Sequence, residues 1–128
     1  MVLPLLKTDL LTVMQAVTEE RLADCPVEFS DDAAACVILA SKGYPGSYEK
    51  GFPIRIPADL DAEVFAAGVK EQDGQLVTSG GRVLGVTATA LTLPEALKKA
   101  YAAAEQIRFE NVYYRRDIGK RALAAPED

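Results

Sequence analysis

The stretch Ala33-Ala34-Ala35-Cys36-Val37-Ile38-Leu39-Ala40 runs for eight residues without a strongly polar side chain. Its length suits a strand rather than a helix, and its lack of alternation predicts a strand buried on both faces. A second run, Val83–Ala90, reads as another apolar strand, rich in the β-branched residues Val and Thr. Two such strands need a core around them. With 128 residues, 49% of them hydrophobic, the chain is long enough to supply one.

The remaining signals set the order of elements. Thr8 or Asp9 is placed to cap a helix reaching about Leu22, with Leu10, Met14 and Val17 recurring on one side. Asp24–Asp32 is acidic, broken by Pro26, and reads as a connection. After the first strand comes a glycine-rich loop, Ser41–Pro53, long enough to suggest a functional role. Glu63–Gly68 is a further strand candidate, and Asp73-Gly74 signals a hairpin turn between Val69–Glu71 and Leu76–Thr78. Thr92 with Glu95 forms a capping box for a helix whose inner face carries Leu97, Ala100, Tyr101, Ala104 and Ile107. Helix, strand, long loop, antiparallel strands and helix add up to an α+β fold on an antiparallel sheet.

Composition narrows the chemistry. The chain has no His, which excludes a Ser-His-Asp triad, a Cys-His pair and a His general base among its own residues. The net charge of −5 argues against a nucleic-acid partner. Cys25 and Cys36 lack CxxC spacing and read as unpaired thiols of a cytoplasmic protein, Cys36 as a small buried hydrophobe. No segment approaches the ~18 apolar residues of a membrane span. The Asp and Glu clusters lack metal-ligand spacing, so no metal site is expected.

Three segments carry possible ligand chemistry. Ser79-Gly80-Gly81-Arg82 joins glycines, whose N–H groups can face an anion, to a planar guanidinium fork; it is equally a bulge or tight turn before a strand. Lys42-Gly43-Tyr44-Pro45-Gly46 offers two polar handles on a fixed path and does not match a P-loop; the alternative is an ordered loop packed over a sheet edge. Tyr113-Tyr114-Arg115-Arg116-Asp117 suits either a ligand clamp or an Arg–Asp pair that holds the C-terminal segment to the body.

Four stretches in order resemble the C-terminal part of the phosphoribosylamine–glycine ligase family, within the ATP-grasp superfamily. They are Val2–Leu10, Ala40–Gly46, Gly80–Ala88 and Tyr114–Gly119. The resemblance runs from Val2 to about Leu123 and implies an ATP-dependent ligase that joins phosphoribosylamine to glycine in purine synthesis. It implies that ATP and Mg²⁺ are bound mainly by residues upstream, with no cofactor expected on this segment alone. The missing ATP-grasp and N-terminal domains would then be partners, and the isolated segment would be inactive. The domain plan implied is residues 1–24 as the end of the ATP-grasp domain, 25–32 as a connection, 33–123 as a β-rich, sandwich-like C-terminal domain with flanking helices, and 124–128 as a frayed tail. The apolar start Val2–Leu6 fits a segment of a larger core better than a free terminus.

By the same resemblance Arg82 would hold the substrate phosphate, aided by Gly80 and Gly81. Lys42, Gly43, Tyr44, Pro45 and Gly46 would wall the substrate sites. Family members often carry His at the position of Ala66 and Asn at that of Ser79. Two other readings remain open: a stand-alone binding domain without catalysis, and the matching segment of another ATP-grasp ligase.

Overall fold

The computed structural model describes residues 1–124, so residues 125–128 of the expected tail lie outside the described residues. Among the described residues six strands form: β1 (Ala33–Ser41), β2 (Glu63–Ala66), β3 (Val69–Gln72), β4 (Gln75–Thr78), β5 (Arg82–Ala90) and β6 (Val112–Tyr113). The helices are α1 (Leu10–Thr18), α2 (Leu93–Ala104) and the single turn α3 (Lys120–Leu123). Strands β2-β5-β1-β6 make an antiparallel sheet in that order, and β3-β4 form a separate hairpin. This is the α+β, antiparallel architecture expected from the sequence.

The two apolar runs pair with each other. Val37 lies opposite Val86, Ala35 opposite Ala88 and Leu39 opposite Leu84. Directly opposed residues share a face, and these six are buried together with Ala96, Leu97, Ala100 and Ala104 of α2. Thr92 caps that helix as its sequence predicts: its Oγ1 accepts from the Glu95 amide and donates to Glu95 Oε2 at 3.0 Å.

The expectation that β1 is buried on both faces does not hold. Burial alternates: Ala35, Val37 and Leu39 point under α2, whereas Cys36 is half-buried and Ile38 is 42% exposed on the opposite face. Helix α2 covers one face of the sheet; the short 3-10 turn Leu3–Leu5 also contacts β1, but Ile38 on the face away from α2 stays open.

The first helix is also shorter than expected. Asp9 is the cap, its Oδ2 accepting from the Thr12 amide at 2.8 Å, and the helix stops at Thr18 rather than Leu22. Glu20 adopts a left-handed φ of 55°, and the amides of Glu20 and Arg21 bond back to the carbonyls of Val17 and Ala16. That is a Schellman stop built on Glu instead of the usual glycine. Thr8 serves differently: its hydroxyl donates to the Pro26 carbonyl and accepts from the Glu28 amide, stitching the two ends of the α1 lobe together.

The hairpin turn falls at Asp73-Gly74, with φ of 53° and 76°, the positive values of a type I′ turn. At the hairpin's base Gly68 and Gly80 cross. A Cβ on Gly68 would sit 2.7 Å from the Gly80 Cα and 2.6 Å from the Arg82 carbonyl oxygen. The loop after β1 is longer than expected. It continues to β2, with isolated bridges joining Pro53 to Val77 and Arg55 to Arg108.

Candidate functional site

The Gly-Gly-Arg turn and the Lys42–Gly46 turn, distant in sequence, meet at one end of the sheet. Ser41, the last residue of β1, is fully buried and holds both. Its amide donates to the Gly81 carbonyl at 2.8 Å and its Oγ to the Gly80 carbonyl at 3.1 Å. The turn that follows is closed by the Tyr44 amide on the Ser41 carbonyl and the Gly46 amide on the Gly43 carbonyl. Gly43 has φ of 102°, and a Cβ there would meet the Ser47 carbonyl oxygen at 2.2 Å, so the turn requires glycine. On its other side the Lys42 amide donates to the Asn111 carbonyl, which fixes the turn to the segment before β6.

A register shift aims Arg82. Leu39 lies opposite Leu84, yet Ala40 lies opposite Arg82. The extra residue, Val83, is fully buried, and the shift brings Arg82 across from Ala40 at the end of β5. Arg82 is exposed and makes no salt bridge among the described residues. A guanidinium on a rigid strand without a carboxylate partner keeps its fork available for an anion.

Two cavities flank this residue. The larger, about 590 Å³, is floored by the open sheet face at Cys36, Ile38, Phe65 and Gly85, with Tyr44 and Arg82 on its rim. The smaller, about 300 Å³, lies between Tyr44, Arg82, Ala40, Tyr113, Tyr114 and Arg115. Tyr44 and Arg82 border both. Of the other residues singled out in the sequence, Gly81 lines the larger cavity, while Lys42, Gly43, Pro45, Gly46 and Gly80 line neither and shape the two turns. Ala66 lies on β2 opposite Leu84, and the Ser79 amide bonds the Gly68 carbonyl; neither borders the cavities.

In the Tyr113–Asp117 stretch the expected Arg–Asp pair forms. Arg115 grips Asp117 with two hydrogen bonds, Nε to Oδ1 at 2.9 Å and Nη2 to Oδ2 at 2.7 Å. That guanidinium holds the Asp117 carboxyl below the usual carboxylate range, and the carboxylate in turn raises Arg115. Arg116 pairs with Glu105 at 3.2 Å and lies over the Tyr114 ring at 5.1 Å, tying the segment to the end of α2. The same segment also places Tyr113, Tyr114 and Arg115 on the smaller cavity. The sequence marks this stretch by residue type but does not say where it pairs, because β6 is two residues long and has no readable period.

Among the described residues no group of three or more His, Cys, Asp or Glu side chains comes together. No helix is long and apolar enough to cross a membrane.

The family described as "Phosphoribosylglycinamide synthetase, C domain" matches residues 34–121. The chain belongs to this family. The synthetase C-domain match takes in the whole sheet from the second residue of β1, the capped helix α2 and both turns of the site. Phosphoribosylamine–glycine ligase of Clostridium acetobutylicum is 47% identical over 119 residues, covering 93% of this chain and 29% of that protein. The trifunctional purine biosynthetic protein adenosine-3 of Gallus gallus is 47% identical over 127 residues, 96% of this chain and 13% of its own length. Among solved structures, phosphoribosylamine–glycine ligase of Thermotoga maritima superposes with a TM-score of 0.70 at 44% identity, over 82% of this chain and 27% of that one. The chain thus spans less than a third of the length of these relatives. Segments similar to this chain accordingly occur both in a protein named for the ligase alone and in one named as trifunctional.

Proposed function

We propose that this chain is the C-terminal part of an ATP-dependent carbon–nitrogen ligase that joins phosphoribosylamine to glycine, giving glycinamide ribonucleotide for purine synthesis. The observation that carries the reading is the match of 93% of the chain, at 47% identity, to proteins of that name. The site supports it in kind. Arg82 presents an unpaired guanidinium where two cavities meet, which suits the phosphate of phosphoribosylamine. Gly81 lets the backbone approach the ligand, Gly80 shapes its turn, and the Lys42–Gly46 turn contributes Tyr44 to the wall.

In such a ligase ATP and Mg²⁺ serve to activate the glycine carboxylate. The residues present here do not fit a Mg²⁺ site, since no acidic cluster forms among those described. The work of this chain is to bind and enclose. Residues 1–24 would complete the ATP-grasp domain, 25–32 would connect, and 33–123 would be the enclosing domain, with the remaining domains of the enzyme as partners. The two cysteines are free thiols, in keeping with a cytoplasmic enzyme.

The test is ADP release by the full reading frame that carries this segment. Release should require phosphoribosylamine, glycine and ATP together, and the 128-residue chain alone should give none. Turnover by the chain alone, or turnover of the full protein indifferent to phosphoribosylamine, would refute the proposal.

A further inference from the structure

The smaller cavity has one small side chain, Ala40, among much larger ones in its lining. Across three adjacent strands, Arg82 of β5, Ala40 of β1 and Tyr113 of β6 stand in register. Directly opposed residues share a face with Cβ atoms about 5 Å apart, so Arg82 and Tyr113 stand about 10 Å apart with only a methyl group between them. The cavity of about 300 Å³ lies over that methyl. Its walls are aromatic, Tyr44 on the turn and Tyr113 and Tyr114 on the far strand, and a guanidinium stands at each side, Arg82 and Arg115.

Arg115 is held in place before any ligand arrives. Asp117 engages its Nε and Nη2, leaving Nη1 without a hydrogen bond among the described residues. Its carbonyl accepts from the Tyr101 hydroxyl at 2.9 Å, and that hydroxyl accepts in turn from the Ile118 amide at 3.0 Å. A side chain and backbone fixed in this way lose little freedom on binding.

We infer that Arg115, with Tyr113 and the gap over Ala40, forms the second half of an anion clamp opposite Arg82, and that the groove takes a phosphorylated ribosyl group. The phosphate lies between the two guanidiniums, and the sugar ring rests on tyrosine faces. The open fork of Arg82 and the Nη1 of Arg115 on one phosphate mean that a single exposed Arg82 need not carry the site alone. The inference rests on the ligase reading above and deepens it: the sequence marks Tyr113–Asp117 as a possible clamp without a ligand, and the shared cavity sets Arg115 and Tyr113 opposite Arg82 across Ala40.

The experiment uses the full-length enzyme and two readouts: KM for each substrate and competitive inhibition by ribose 5-phosphate. The Arg115 side chain is 65% exposed, so Arg115→Ala should fold. We expect it to raise both the KM for phosphoribosylamine and the inhibition constant of ribose 5-phosphate by about tenfold, the loss of one charge-assisted contact. The KM values for ATP and glycine should not move, and Arg115→Lys should recover part of the loss. Ala40→Val, which fills the gap while suiting a strand, should act in the same direction. If Arg82→Ala weakens phosphoribosylamine binding while Arg115→Ala and Ala40→Val leave it unchanged, the clamp is overturned and the ligase reading stands. If all three variants bind phosphoribosylamine as the parent does, the clamp and the role of Arg82 both fall.

Discussion

The Tyr44 ring is seated directly on Gly81: a Cβ at position 81 would lie 2.1 Å from Tyr44 Cδ2. The glycine is therefore a matter of space, and the contact couples the two turns of the site. Gly81→Ala should destabilise the fold by about 1–3 kcal/mol, the usual cost of overpacking. Tyr44→Ala in the same background should restore most of that loss. Denaturant midpoints of the single and double variants measure the coupling, and strictly additive losses would mean the ring is free to move aside.

Two other glycines separate crowding from backbone strain. At Gly68 the obstacle is backbone, the Arg82 carbonyl and the Gly80 Cα, which cannot swing away as a side chain does. At Gly74 nothing lies within 4 Å of the missing Cβ, and the only penalty is its φ of 76°. Gly68→Ala should cost about 3 kcal/mol or more, and Gly74→Ala about 1 kcal/mol. Equal losses in chemical unfolding would contradict the crossing of Gly68 and Gly80.

The Thr87 hydroxyl is buried and has no hydrogen-bond partner among the described residues. An unmet buried donor costs more than a made bond returns. Thr87→Val keeps the shape and removes the hydroxyl, so it should stabilise the chain by about 1 kcal/mol. A lower thermal midpoint in the variant would show that the hydroxyl finds a partner in solution.

Acid should loosen the C-terminal segment. The carboxyl of Asp117 titrates below its unfolded value because Arg115 bonds its charged form. A depressed carboxylate stabilises the fold above its unfolded value, near pH ~3.9, and loses that contribution as pH falls through the lower folded value. Asp117→Asn should therefore be less stable than the parent at pH 7, with the two thermal midpoints converging at strongly acidic pH. A gap that persists unchanged there would point to a cause other than the carboxylate charge. The pair is exposed, so the difference at neutral pH should be small.

Short-range chemistry was legible in the sequence, and long-range cover was not. The Asp73-Gly74 turn and the Thr92–Glu95 cap depend on residues within a few positions of each other, and both form where the pattern placed them. The end of α1 escaped because Glu20 occupies a left-handed position that usually announces itself as glycine. The open face of β1 escaped because an apolar run reports what a strand can tolerate, while only the arrangement of layers decides what covers it. At the site, Arg82 and Tyr44 were visible as residue types beside glycines. Tyr113–Asp117 was visible as a candidate clamp, but its place beside them was not, since pairing a two-residue strand with Ala40 and Ser41 leaves no periodic trace.

The crossing of Gly68 and Gly80 also governs how the hairpin can change length. Backbone contact at the neck, with Val69 opposite Thr78 just above it, clamps both strands at one height. A single residue added to one strand would throw its side chains onto the wrong face, so growth within the strands has to come as matched pairs. The tip at Gly74, surrounded by open space, is under no such bookkeeping. A tag or foreign peptide placed there should be carried without disturbing Arg82 at the other end of the neck.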